Sequence, residues 1–198
     1  MKLFERYAGE VKEEAGGRYK LERPYRRRHK REMNLQGRVK VLAFSLVRRG
    51  VFLLVWQKEA DGVTKFMRRL VTSYTLHANQ RHGRKGAVFA GAYRGVLVTC
   101  GKDMVYLSRR IHRLPLGKIV RRFGWVETTA VGISEEYLYS SYGNYLDGRS
   151  NSWLDPETVL SEWKNLGPEG QKSYREFVQD ERVVEEPWIK ALPVADEL

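Results

Sequence analysis

Residues 45–57 read SLVRRGVFLLVWQ: the end of one strand-like run, an Arg48-Arg49-Gly50 break, and six apolar residues from Val51 to Trp56. Upstream, RVKVLAFSLV (38–47) is rich in β-branched and aromatic side chains, so the two runs predict a β-hairpin. Working outward, GVTKFMRRLVTSYTLHANQRHG (62–83) sets Val63, Phe66, Met67, Leu70, Val71 and Tyr74 at three- and four-residue spacing. That predicts an amphipathic helix of about five turns, ended by Gly83, with Arg68, Arg69, Arg81, Arg84 and Lys85 off the apolar stripe. AVFAGAYRGVLVTC (87–100) reads as extended structure interrupted by Gly91 and Gly95. KDMVYLSRRIHRLPLG (102–117) reads as a shorter helix with Met104, Leu107, Ile111 and Leu114 on one face, stopped by Pro115 and Gly117. The order β, β, α, β, α predicts an α+β domain in which helices cover an antiparallel sheet.

Beyond this body, YLYSSYGNYLDG (137–148) groups Tyr137, Tyr139, Tyr142 and Tyr145, readable as surface-loop tyrosines or as base-stacking platforms. WLDPETVLSEW (153–163) and EGQKSYREFV (169–178) predict two short helices. The acidic DERVVEEPWIKALPVADEL (180–198) has two prolines and is expected to lack fixed structure without a partner. The organisation is thus a basic N-terminal arm (1–37), a central domain (38–150), and C-terminal helices with an acidic tail (151–198).

Charge restricts the function classes. The chain has 198 residues, 36 Lys and Arg against 24 Asp and Glu, a net charge of +12 and a pI near 9.9. Its first 150 residues carry +18 and the remainder −6. A body with that excess draws polyanions by long-range field and counterion release, so nucleic acid leads the partner classes. Within RPYRRRHKRE (23–32), Arg26, Arg27, Arg28, Lys30 and Arg31 read as a phosphate-binding arm; a solvated helix face is the plainer reading. The lone Cys100 forms no internal disulfide and no Cys/His cluster offers a zinc site, which points to a cytoplasmic setting without cofactor or metal. No apolar run approaches the ~20 residues a bilayer crossing needs, so no membrane partner is expected.

Residues i and i+2 of a strand face together, and i and i+4 of a helix share a face, so positions 50, 52, 110 and 114 are candidates to converge. LAFSLVRRGVFLLVWQ, TKFMRRLVTSYTLHANQRHGRKGAVFAGAYRGVLV, YLSRRIHRLPLG and YSSYGNYLDGRSNSWLD, in that order over about residues 38–178, resemble the single-tyrosine HUH transposases, specifically the REP-associated tyrosine transposase group. The resemblance implies a ferredoxin-like antiparallel sheet with helices, acting on single-stranded DNA with hairpin structure. In that family two histidines separated by one hydrophobe bind a divalent cation, a later Asn completes the site, and a Tyr one turn before it attacks the phosphodiester. Here the histidine positions fall at Gly50 and Phe52, the tyrosine at Arg110 and the Asn at Leu114. Gly, Phe and Leu offer no ligand atom, and a guanidinium protonated below pH ~12 is neither ligand nor nucleophile. Ala90 and Ala92 stand where the family commonly has Gln and Arg or Lys, and its first strand is not evident in residues 1–37.

The residues point to a catalytically inactive, domesticated relative that binds single-stranded or hairpin nucleic acid, DNA or RNA. Besides the arm, the expected phosphate contacts are Arg48, Arg49, Arg68, Arg69, Arg81, Arg84, Lys85, Arg109, Arg110 and Arg113. One rival is an adaptor subunit of a nucleoprotein complex that takes a protein partner through residues 151–198. The other is a residual nicking enzyme with a relocated site, for which Tyr106, one turn before Arg110, is the substitute nucleophile. The histidines His29, His77, His82 and His112 read as satisfied or exposed side chains, not ligands.

Overall fold

β-branched and aromatic residues set the first two elements, VKVLAFSLV in β1 (Val39–Val47) and GVFLLVWQ in β2 (Gly50–Gln57). The computed structural model describes residues 8, 34–47, 50–114, 117–122, 125–130, 139–148, 151–180, 182 and 189. After the hairpin come α1 (Gly62–His82), α2 (Gly101–Arg113), β3 (Gly117–Arg122), β4 (Trp125–Ala130), α3 (Tyr142–Asp147), α4 (Glu157–Lys164), a 3-10 turn (Glu169–Gln171) and α5 (Tyr174–Gln179). The protein is α+β. Its ladders are two separate two-stranded sheets, β1 with β2 and β3 with β4, the latter antiparallel from Gly117 opposite Ala130 to Arg122 opposite Trp125. Among the described residues no larger ferredoxin-like sheet forms. No described helix is long and apolar enough to cross a membrane.

The chain divides into two compact units. The first draws on Met1–Lys40, Val55–Val96 and Asn151–Leu154, the second on Val41–Leu54, Leu97–Ser150 and Asp155–Leu198. In the first, α1 buries Gly62, Phe66 and Leu70, one face at four-residue spacing. The entry is tight: a Cβ on Gly62 would lie 3.1 Å from both Gln57 Cβ and Val39 Cγ2. Gln57 Oε1 there accepts the otherwise orphan Val63 N–H at 2.8 Å. The helix ends as expected at Gly83, whose φ of 60° lies in the left-handed region and whose N–H returns to Asn79 O. Trp153 and Leu154 are also buried.

The second unit is built around α2. Val105, Leu107 and Ile111 join Leu42, Ala43 and Leu54 of the hairpin, Tyr142 and Tyr145 of α3, Val159 and Trp163 of α4, and Tyr174, Phe177 and Val178 of α5 in one cluster. Within the C-terminal segment 151–198, α4 and α5 therefore supply two helices of this core. Tyr142 and Tyr145 are core residues, which corrects both readings of that stretch for them; Tyr139 is exposed. The expectation of an unstructured tail falls on 181, 183–188 and 190–198, outside the described residues, whereas Ile189 is fully buried in the cluster.

Close backbone approach explains Gly170. A Cβ there would collide with the carbonyls at the end of α4, Trp163 O and, at 2.6 Å, Lys164 O. At Gly101 the obstacle is instead the carboxylate of exposed Glu162, which can swing away. Gly170→Ala is therefore expected to lower stability by about 1–3 kcal/mol in denaturant melts, and Gly101→Ala by much less.

Candidate nucleic-acid interface

From Gly62 to Lys102 the chain contains no Asp or Glu, while Lys65, Arg68, Arg69, Arg81, Arg84, Lys85, Arg94 and Lys102 are all cationic. The part of this stretch in the first unit is organised by α1. Arg68 and Arg81 are exposed on the helix, Arg69 is half-buried, and Arg84, Lys85 and Arg94 are exposed beyond it. Lys65 pairs with Asp61 at 2.6 Å, an i,i+4 pair on open surface.

The segment expected as a third strand, 87–100, joins no ladder. Its first part is a strap lying on α1, anchored in antiparallel order by side chains. Asn79 Nδ2 donates to Gly86 O at 2.8 Å. The Tyr74 and Phe89 rings meet at 5.5 Å and 51°. The Thr64 and Tyr93 hydroxyls lie 3.2 Å apart. From Asn79 back to Thr64 the helix axis runs about 22 Å, and an extended chain from Gly86 to Tyr93 reaches about 23 Å, so the strap is long enough for all three anchors. Side chains suited to a pleated, half-covered surface find that surface on a helix. Tyr74, expected on the buried stripe, is 44% exposed, as is Tyr93.

The other expected contacts divide. Arg26, Arg27, Arg28, Lys30 and Arg31, like Arg48 and Arg49, lie outside the described residues. Arg109, expected on phosphate, is only 2% exposed. Its Nε donates to Phe177 O at 2.8 Å, its Nη2 donates to Asp180 O, and its guanidinium lies 5.7 Å from the Phe177 ring centre. Arg113 Nη1 donates to Val178 O at 3.1 Å. These two cations satisfy the open carbonyls at the C-terminal end of α5, where the helix dipole is negative. Arg110 is half-buried.

The four positions expected to converge all fall in the second unit: Gly50 and Phe52 at the start of β2, Arg110 in the last turn of α2, and Leu114 at its C-cap. Phe52 packs against the core cluster, a role that needs its ring and no ligand atom. Tyr106 is half-buried, edge-on to Phe177 at 5.7 Å with Lys102 Nζ 5.8 Å from its ring centre. Among the described residues, no three His, Cys, Asp or Glu side chains gather where they would hold a metal ion.

α2 also presents Ser108, Arg109 and His112 inward, one face at three- and four-residue spacing. His112 is fully buried, with Nδ1 2.9 Å from Tyr174 Oη and Nε2 2.7 Å from Ser141 Oγ. Tyr174 Oη lies 2.9 Å from Ser108 Oγ, which donates to Val105 O at 2.7 Å. At the other end Phe44 N–H donates to Ser141 Oγ at 2.9 Å. Ser141 Oγ also donates to Phe44 O at 3.2 Å, so four protons, one each from Ser108, Tyr174, His112 and Ser141, serve five contacts. Burial holds the imidazole pKa down, at about 3, and pushes the Tyr174 phenol above its ordinary value. Ser141 and His112 are both 0% exposed, so this is an internal brace between α2, α3, α5 and β1, not a nucleophile and base facing a substrate.

The sequence reading missed Tyr74, Tyr93 and Arg94 as surface groups, and the half-buried Phe89 beside Tyr74. The acid-free run was the signal that could have found the region. No family model matches the chain, and no match comes from the curated proteins or the solved structures.

Proposed function

We propose that this chain is a catalytically inactive relative of the single-tyrosine HUH transposases, with hairpins descended from a ferredoxin-like sheet, that binds single-stranded or hairpin nucleic acid in a cytoplasmic setting. The carrying observation is the acid-free stretch 62–102, whose exposed cations Arg68, Arg81, Arg84, Lys85 and Arg94 share the first compact unit. Exposed cations on an ordered scaffold attract phosphate by their field and by counterion release. The loss of ligand and nucleophile at Gly50, Phe52, Arg110 and Leu114 supports binding without chemistry. An adaptor role through residues 151–198 draws less support, because Val159, Trp163, Tyr174, Phe177, Val178 and Ile189 are already buried in the chain's own core.

Affinity titrations across salt test the reading. If about six phosphates are neutralised, log K should fall against log salt with a slope of roughly −4 on single strands. Reversing Arg81, Arg84 and Lys85 to Glu together should flatten that slope by about 2 and weaken binding more than tenfold. A flat salt response, or a triple variant that binds normally, removes the interface. The same mixtures with Mg²⁺ or Mn²⁺ should show no cleavage on a denaturing gel; a covalent adduct at a 5′ end would refute the inactive assignment.

A further inference from the structure

We propose that Tyr74, Phe89 and Tyr93 form a platform on which unpaired bases of a single strand stack, the cations of the α1 end and the strap taking the phosphates. This rests on the nucleic-acid reading above and assigns the residues that select unpaired bases.

Three observations carry it. First, Tyr74 and Tyr93 are each 44% exposed, although Tyr74 continues the helical register of buried Phe66 and Leu70. Second, the rings are held: Tyr74 against Phe89 at 5.5 Å, and Tyr93 by its hydroxyl 3.2 Å from Thr64 Oγ1. A ring fixed before binding loses little rotamer freedom when a base lands on it. Third, the charged residues within 62–102 are all cations, with Arg94 next to Tyr93 in the strap and Arg81, Arg84 and Lys85 where the strap begins. Tyr93 is tied at Thr64 and Tyr74 lies ten residues further along α1, so the platform extends over about 15 Å, room for a few nucleotides. A basic groove interleaved with aromatic faces is the physical requirement for binding single strands without base readout. A duplex keeps its bases stacked internally, so it can use the cations but not the rings.

The test compares oligothymidylate with a duplex of equal length on the full chain. Tyr74→Ala and Tyr93→Ala should each weaken oligothymidylate binding about tenfold, leave duplex affinity unchanged and leave the salt slope unaltered. Tyr93→Phe keeps the ring but loses its tie to Thr64, and should bind oligothymidylate more weakly than the parent and more tightly than Tyr93→Ala. Alanine variants that retain full affinity for oligothymidylate, while the Arg81, Arg84 and Lys85 reversal still weakens it, would overturn the platform and leave the charge-based reading standing. Equal losses on both probes would also overturn it, since the rings would then only be holding the strap in place. A parent chain that binds neither probe would end both readings.

Discussion

A chain ending at Ser150 is expected not to fold cooperatively. The deletion removes Val159, Trp163, Tyr174, Phe177, Val178 and Ile189 from the core of the second unit, and the buried Trp153 and Leu154 from the first. Truncating one such side chain to Ala costs about 2–5 kcal/mol, while a whole domain is stable by about 5–15 kcal/mol, so losing six together exceeds the total. The deletion also strips Arg109 of the carbonyls of Phe177 and Asp180, leaving a buried cation without these acceptors. His112 and Ser108 lose the Tyr174 hydroxyl as well. Loss of a sigmoidal urea transition and new binding of an apolar dye would report this outcome. A truncated chain that melts like the parent would show that α4 and α5 are dispensable, and the adaptor reading of residues 151–198 would regain its footing.

Period and punctuation made much of the fold legible. α1 could be read because Phe66 and Leu70 repeat on one face and Gly83 supplies a left-handed stop; the hairpin could be read because VKVLAFSLV and VFLLVWQ flank a break. Local pattern does not reveal the partner of a segment. Residues 87–93 carry strand-like composition but rest on a helix through Phe89 and Tyr93, a choice set by side chains up to 29 positions away. The same limit hid the role of Arg109. In sequence it is one of a cluster of arginines beside Arg110 and Arg113; only the approach of α5, 68 residues on, commits it to Phe177 O. Tyr142 and Tyr145 looked like loop residues in a Ser-Tyr-Gly-rich stretch, yet the Tyr145 hydroxyl finds Leu42 O at 2.7 Å and its ring packs on His112 at 4.6 Å. A tyrosine whose hydroxyl is satisfied can enter a core, and that satisfaction came from a residue 103 positions earlier. The absence of ligand atoms at Gly50, Phe52 and Leu114 was legible without a fold, because it is a property of residue type.

Stability should decline as pH falls from 6.5 toward 5, and His112→Gln should abolish that decline. In the folded chain His112 is neutral because burial opposes its charge, with a pKa lowered to about 3 from an ordinary value of 6.5. Below pH 6.5 the unfolded chain binds a proton that the native chain does not, so acid favours unfolding, and the effect grows until pH reaches the native value. At about 1.4 kcal/mol per pH unit for one proton, the loss between pH 6.5 and 5 is about 2 kcal/mol, and it grows further toward pH 3. The upper part of this window separates His112 from the carboxylates. Asp180, held down by hydrogen bonds from Arg182, and Glu176, held down by the Ser173 N–H and hydroxyl, stabilise the fold above the ordinary carboxylate range. Their contribution is lost only as pH falls below about 4. Gln does not titrate, so His112→Gln should be less stable at pH 7, where it disrupts the bonds to Tyr174 and Ser141, yet flat from pH 6.5 to 5. Urea midpoints for both chains at several pH values give the answer. Parallel declines would mean that some other group supplies the protons and that the His112 imidazole is not held neutral by the brace.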